Sequence, residues 1–502
     1  MSAAVSPSHE DPYRKYVHFV DGADRDTDHD HYFESVNPTT GRLWGRFAIA
    51  DDVDVDVAVQ SAHRAFRGEW SQMSASKRGS LMTRWGEAIA NNADFIGRLE
   101  VTQNGKLLAE MKLQAQIALD WLRYFGGLAD KIEGSVIPLN QTSVLNYTLR
   151  EPLGVVGVIT PWNSPTFLTI MSVAPALAAG NTVVLKPSEV TSASAIELAR
   201  LAKVAGIPDG VINVVTGLRR TGEAIVDHPL VRKVAFTGSV GAGKAIAGRL
   251  SQRLASYTLE LGGKSPNIVF PDANLDQAEA GVLAGIFAAA GQTCIAGSRA
   301  YIHEAIYDEL VDRLTRRAKS IVLGDPLLTS TQMGPVATSA QLEKDLTIVA
   351  QARDDGAELA YGGERVSVGD FGGYFISPAI LTGVSQNNRV MRNEVFGPVL
   401  AIAKFKDEDE VVCLANDSPF GLAAGVWTND IKRGHRMARR LEAGTVWLNT
   451  YRALAFNSPF GGYKDSGVGR VNGIDAVNSF LQTKSVWCEL GDEVRDPFVL
   501  KA

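Results

Sequence analysis

Residues 155–186 read VVGVITPWNSPTFLTIMSVAPALAAGNTVVLK. The run 155–160 is short, apolar and β-branched, which predicts a buried strand. Pro161-Trp162-Asn163 breaks it with a turn, and a near-apolar segment over 167–179 predicts a buried helix. A second strand follows at 181–186 (NTVVLK), then Pro187-Ser188-Glu189 and a helix over 193–205. Strands alternating with helices imply a mostly parallel α/β sheet.

The same grammar extends outward. Runs at 211–215 (VINVV) and 233–236 (KVAF) continue the first set. Beyond Glu260 a second set is expected at 267–270, 300–303, 399–404 and 445–449, so the chain reads as two α/β units. Residues 135–150 (SVIPLNQTSVLNYTLR) alternate apolar and polar positions, as a half-exposed hairpin does, and 479–490 do so weakly. Exposed strands of this kind need covering, often by another subunit. Residues 491–502 are mixed and charged, and a loose tail is expected there.

The chain has 502 residues, 45% of them apolar and 21% charged, enough for a large core without disulfide or metal. Fifty basic residues against 56 acidic ones leave a formal charge of −6. A nucleic-acid binder or a polybasic membrane protein leans the other way. The three cysteines, Cys294, Cys413 and Cys488, are far apart and form no CxxC pair. That excludes a disulfide scaffold and fits a reducing compartment. The first thirty residues hold no apolar signal region, and 167–179 is too short to span a bilayer. A cytoplasmic protein is expected, with neither nucleic acid nor membrane as partner.

Several short motifs carry chemistry. In 291–299 (GQTCIAGSR), Cys294 follows a small-residue turn whose free N–H groups suit a thiolate or an oxyanion. Taken alone, a cysteine is more often a packing residue, and Cys413 and Cys488 are read that way. Glu260, between leucines and before Gly262-Gly263, suits a general base with a raised pKa; the alternative is a surface pair with Lys264. Asn163 ends the turn after a buried strand, where its amide can donate to an oxyanion or simply serve the turn. Residues 236–244 (FTGSVGAGK) run from strand through a Gly-rich turn to a helix, as a phosphate site does. The P-loop pattern fails at Ala245, which has no hydroxyl for Mg²⁺. Lys186 and Glu189 follow a strand, and Glu189 suits either a dinucleotide ribose or a helix cap. Residues 26–31 (DTDHDH) read as a solvated turn, and no metal site is expected.

Together these motifs resemble the aldehyde dehydrogenase superfamily over nearly the whole chain. The resemblance runs from Asn37-Pro38 to 458–470 (SPFGGYKDSGVGR). It includes TPWN at 160–163, KPSE at 186–189, FTGS at 236–239, ELGGKSP at 260–266, GQTCIAGSR at 291–299 and NEVFGPV at 393–399. It implies two Rossmann-like open α/β domains plus a small β oligomerisation arm. A dinucleotide-binding domain would hold 1–133 and 153–262, and a catalytic domain 263–466. The arm and tail would hold 134–152 and 467–502. The resemblance also implies a homodimer or homotetramer.

The resemblance further implies roles. Cys294 would attack an aldehyde, Asn163 would hold the oxyanion, and Glu260 would activate water against the thioester. NAD, with NADP possible, would lie against Trp162, Lys186, Glu189, Gly238, Ser239, Glu394 and Phe396. Glu189 should repel a 2′-phosphate, while Lys186, Arg219 and Arg220 offset it. The substrate pocket would involve Ser164, Met171, Ala288, Arg452 and Phe460. Ser164, Met171 and Ala288 are smaller than relatives often carry, and Ser172 stands where a lysine is common. Val471 replaces a common glutamate, with no mechanistic reading. A roomier pocket with Arg452 at its mouth suggests a bulky or anionic aldehyde, a semialdehyde or a hydroxy-lactone. The rivals are a catalytically inactive structural protein on the same fold and a nucleoside triphosphatase using 238–244.

Overall fold

The computed structural model describes residues 14–27, 29–492 and 498, which hold five sheets, three of them bearing on the site and the arm. Before the first sheet's parallel strands come helices α1 (Ala93–Asn104) and α2 (Leu108–Leu128) and the long strand β1 (Val144–Pro152). Then follow β2 (Val155–Ile159), α3 (Pro165–Ala178), β3 (Thr182–Lys186), α4 (Ser192–Val204) and β4 (Ile212–Val214). Helix α5 (Arg219–Asp227), β5 (Val231–Thr237), α6 (Val240–Ser251) and β6 (Ser256–Glu260) complete this part. The chain pairs β6-β5-β2-β3-β4 in parallel. It starts in the middle at β2, runs outward through β3 and β4, then returns to the other side of β2 as β5. That reversal is a topological switch point, where open α/β sheets bind ligands beyond their strands' carboxyl ends.

The second sheet contains β7 (Pro266–Val269), β8 (Arg299–His303), β9 (Ala379–Thr382), β10 (Val399–Phe405), β11 (Ala423–Trp427) and β12 (Thr445–Leu448). Their order is β9-β10-β8-β7-β11-β12, with Glu358–Tyr361 antiparallel at the β9 edge. Helix α7 (Leu275–Ile286) follows β7, and α8 (Ser339–Asp354) lies between β8 and β9 in the chain. In the third sheet β1 pairs antiparallel with β13 (Leu481–Glu489), from Leu481↔Pro152 to Glu489↔Val144.

Local chemistry explains the helix starts. Ser239 caps α6 by accepting from Ala242 N, and Asn274 caps α7 from Asp276 N and Gln277 N. Pro165 opens α3, where a missing N–H costs nothing. Helix α3 is almost wholly buried, which explains its apolar composition. No helix among the described residues is long and apolar enough to cross a membrane.

Three expectations are corrected. Cys413 and Cys488 are exposed rather than packed. On the helix Glu408–Asn416 the buried positions are Val411, Val412 and Ala415, so the helical period turns Cys413 outward. Residues 467–468 do not belong to the arm either: Gly467 and Val468 pair antiparallel with Glu260 and Leu259 at the edge of the first sheet. In the turn at 26–31, Lys15 and Tyr32 hold Asp26, and His29 pairs with Asp51 at 2.9 Å. Asp28 and most of the expected tail, 493–497 and 499–502, lie outside the described residues.

Candidate active site

Register brings the motifs to one edge. Ile159 pairs with Lys186 and with Phe236, and Thr237 pairs with Glu260. The four strands therefore end level, and the loops carrying Asn163, Glu189, Ser239 and Gly262 emerge side by side. A cleft of about 690 Å³ opens there, its walls including Trp162, Asn163, Gly238, Ser239, Glu260, Cys294, Glu394 and Phe396.

Cys294 follows a tight turn over Ala288–Gly291. Ala289, Ala290 and Gly291 all have positive φ, at 56°, 50° and 70°. Two alanines in the left-handed region are strained, and such strain persists where the surroundings over-determine it. The surroundings here are backbone. A Cβ on Gly291 would overlap the Gly397 carbonyl, and one on Gly263 would overlap the Cys294 carbonyl. The loops 261–263, 291–294 and 394–398 thus touch main chain to main chain, which explains their glycines.

The groups around the thiol are few. Asn163 is buried and donates from Nδ2 to Gln292 O at 3.1 Å, which leaves its second amide hydrogen available. Gln292 in turn accepts from Ala337 N at 2.8 Å. Glu260 ends β6, buried, and neither carboxyl oxygen has a hydrogen-bond partner. The surface pair with Lys264 does not form; Lys264 is itself buried, and its ammonium has no hydrogen-bond partner. Burial pushes the Glu260 pKa well above the usual carboxylate range, against a smaller pull from Arg470. Burial, reinforced by Glu260 and Glu394, pushes the Cys294 thiol up to about 12. The resting nucleophile is therefore a protonated thiol beside a base that has lost its solvent.

The other wall suits a dinucleotide. Gly263 N donates to Glu394 Oε1 at 2.9 Å, fixing that carboxylate at the cleft. The Trp162 and Phe396 rings meet edge to face at 5.3 Å, and Phe396 has φ 64°. The first turn of α6 is open, with nothing within 4 Å of a Cβ on Gly241, so a phosphate can reach the helix N-terminus. Lys186 donates to Pro187 O at 3.1 Å, and Glu189 is exposed on the same loop. Lys244, the last residue of the P-loop-like run, pairs with Asp465 at 2.7 Å.

Of the expected pocket residues, Met171 and Phe460 are buried in one apolar cluster with the partly buried Cys294. That cluster also holds Trp121, Phe167, Tyr451 and Phe456, none of which stood out in the sequence. Trp121 meets Phe167 edge to face at 4.9 Å, and Tyr451 OH donates to Ile295 O at 3.0 Å. Ser164 and Ala288 are half-buried. Arg452 is not free: it donates to Ala284 O at 3.3 Å and lies 3.5 Å from Glu110, which also faces Lys106 at 3.9 Å. Gln341 and Lys344 on α8 line the cleft too. Nothing local in the solvated-looking run QLEK marks them.

The sequence model of the Aldehyde dehydrogenase family matches residues 25–486. A (Z)-2-((N-methylformamido)methylene)-5-hydroxybutyrolactone dehydrogenase of Acinetobacter baylyi is 43% identical over 93% of this chain and 96% of its own length. A betaine aldehyde dehydrogenase of Brucella anthropi is 40% identical over 96% of this chain and 99% of its own. The NAD+ complex of an aldehyde dehydrogenase from Bacillus cereus superposes with a TM-score of 0.93 at 39% identity, covering 95% of this chain and 97% of that one. With the thiol, carboxyl and amide gathered at one cleft, these likenesses settle the family: the chain belongs to the aldehyde dehydrogenases, oxidoreductases that act on aldehydes.

Proposed function

We propose that the protein oxidises an aldehyde to a carboxylic acid with NAD through Cys294. The observation that carries this is the unpartnered, buried Glu260 carboxyl in the same cleft as the Cys294 thiol and the Asn163 amide. Glu260 takes the thiol proton as Cys294 Sγ bonds to the aldehyde carbon, and the carbonyl electron pair moves onto oxygen. The Asn163 amide and the Cys294 N–H hold that oxyanion. Glu394, Ser239 and Glu189 would hold NAD, which would supply the hydride acceptor for oxidation of the thiohemiacetal to a thioester. Glu260 gives up the thiol proton to solvent and then deprotonates a water that attacks the thioester carbon; the C–S bond breaks, the thiolate takes the proton from Glu260, and the acid leaves.

The exposed Glu189 carboxylate disfavours a 2′-phosphate. The cations that would offset it are engaged: Arg219 with Glu223 at 2.9 Å and Arg220 with Asp52 at 2.6 Å. NAD is therefore preferred over NADP. Three of the five sheets support the division into a dinucleotide-binding unit, a catalytic unit and an oligomerisation arm, with 467–468 returned to the first. The exposed apolar arm supports a homodimer or homotetramer. A free catalytic thiol supports a cytoplasmic location.

For the substrate we favour an anionic or lactol-masked aldehyde. Lys106, near enough to Cys294 for their charges to interact, and Arg452 share the carboxylate of Glu110, so the pair outnumbers its counter-ion. A 5-hydroxybutyrolactone, of the kind named for the Acinetobacter baylyi relative, opens to a carboxylate bearing an aldehyde. The test is a screen of NAD and NADP reduction over aliphatic, aromatic, semialdehyde and lactol substrates, with Cys294→Ala as the blank. Semialdehydes should lead in kcat/KM, and Arg452→Ala should lower that lead about tenfold, the scale of one charge-assisted hydrogen bond. If that variant leaves KM for acidic and neutral aldehydes alike unchanged, the substrate reading fails.

A further inference from the structure

Behind the cleft lies a carboxyl group that the reaction does not use. Asp345 is in α8 and fully buried among Leu342, Ile348 and Val349 on the same inward face. Its Oδ1 accepts from Gln341 Nε2 at 2.7 Å, and its Oδ2 has no hydrogen-bond partner. An apolar residue is the ordinary occupant of such a position, because a buried carboxyl without an ion pair is costly. Burial raises its pKa to about 7, with smaller opposing pulls from Gln341 and from Lys344.

What Asp345 touches gives it a use. Gln341 lies one turn earlier and lines the cleft beside Lys344, Glu394 and Phe396. The same Nε2 that donates to Asp345 also donates to Val395 O at 3.0 Å. One amide therefore ties α8 to the residue between Glu394 and Phe396. The next residue is tied as well. A Cβ on Gly397 would overlap the Asp345 carboxyl, and Gly397 in turn abuts Gly291, three residues before Cys294. The Asp345 carboxyl, the Gly397 backbone and the Gly291 turn thus form a stack. It runs from α8, under the loop with Glu394, to the turn that presents the thiol.

We propose that Asp345 is a positioning residue for the cofactor, holding Gln341 and the 394–397 loop at the geometry in which Glu394 and Phe396 meet the nicotinamide half of NAD. The proposal rests on the cofactor reading above. It differs from a plain stabilising role in what it predicts to change. Stability alone would move every property of the enzyme together. Positioning moves cofactor affinity and spares the chemistry of Cys294 and Glu260.

The test uses the full-length protein and NADH as the probe, titrated by its fluorescence. Hydrolysis of a p-nitrophenyl ester serves as the cofactor-free measure of Cys294 and Glu260. Asp345→Leu should weaken NADH binding about tenfold, the scale of one buried hydrogen bond. The KM for NAD should rise in parallel, with ester hydrolysis and the aldehyde KM kept within about twofold on the same scale. Asp345→Asn, which keeps an oxygen for Gln341, should recover most of the affinity. Gln341→Ala should resemble Asp345→Leu, and the double variant should be no worse than either single one. An unchanged NADH Kd in Gln341→Ala overturns the proposal, as do additive losses or equal loss of ester hydrolysis. Should Asp345→Leu not fold, Gln341→Ala and Asp345→Asn still decide the matter. A wild-type protein that binds no NADH sinks the cofactor reading itself, a different result from normal wild-type binding with indifferent variants.

Discussion

A thiol whose pKa is near 12 and a carboxyl pushed far above its usual range face each other across one cleft. Burial, reinforced at the thiol by Glu260, makes both charged forms hard to reach, so the carboxyl must shed a proton before it can take one from the thiol. The base acts twice in the proposed cycle, but only its second act needs water. Glu260→Gln should therefore slow thioester hydrolysis more than acylation. A rapid-mixing experiment should show a burst of about one NADH per active site and then a slow steady rate, the signature of an accumulating acyl-enzyme. A steady rate without a burst would place Glu260 before the thioester only. Because burial raises the Glu260 pKa, its base form appears at higher pH than that of an ordinary carboxylate, and wild-type turnover should rise with pH as it does so.

At the scale of elements, the arm is the most exposed part of the fold. Val136, Leu149, Trp487 and Leu490 stand in solvent on its strands and just beyond them. Leu149→Arg with Trp487→Arg should lower the particle mass measured by light scattering to that of a single chain. An unchanged mass would place the subunit contact elsewhere. The alternation at 135–150 made this hairpin legible, because a half-buried strand writes its faces into every second residue. Most of the parallel strands were legible for the opposite reason, as short runs rich in apolar residues. Strand β6 was not: SYTLE has too little apolar run, and its last residue is the base itself. Gln341 and Asp345 were hidden for a related reason. They sit among charged residues of a weakly amphipathic helix, and only tertiary contact with Val395 and Gly397 gives them meaning. Cys413 misled because its neighbours are apolar, although the helical period sends it to the other face. The site motifs read well because glycines forced by backbone contact, such as Gly263 and Gly291, cluster around the reacting groups.

Across the whole molecule, buried carboxyls set a pH cost. Glu100 is fully buried and accepts from both the backbone and the hydroxyl of Thr166, yet burial still raises its pKa to about 7. A carboxyl whose folded pKa exceeds its unfolded one binds more protons when folded. Its contribution therefore declines as pH rises from about 4.5 to 7, by about 3 kcal/mol at most. Glu100→Gln keeps an acceptor for Thr166 and removes that titration. Its gain in Tm over wild type should be larger at pH 8 than at pH 5. A gain independent of pH would show that Glu100 does not titrate in this window.

The antiparallel pairing of Gly467 and Val468 with Glu260 and Leu259 bears on how the enzyme is made. The strand that carries the base is shielded at its outer edge only by residues more than two hundred positions later. A ribosome therefore releases the whole first sheet with that edge bare, and the second sheet must be synthesised before the shield arrives. Through that interval an unpaired strand is open to strands of neighbouring nascent chains. Maturation of the catalytic edge is thus one of the last events in the life of the newborn chain, and a protein stopped short of 467 keeps every catalytic side chain while its base strand stays open.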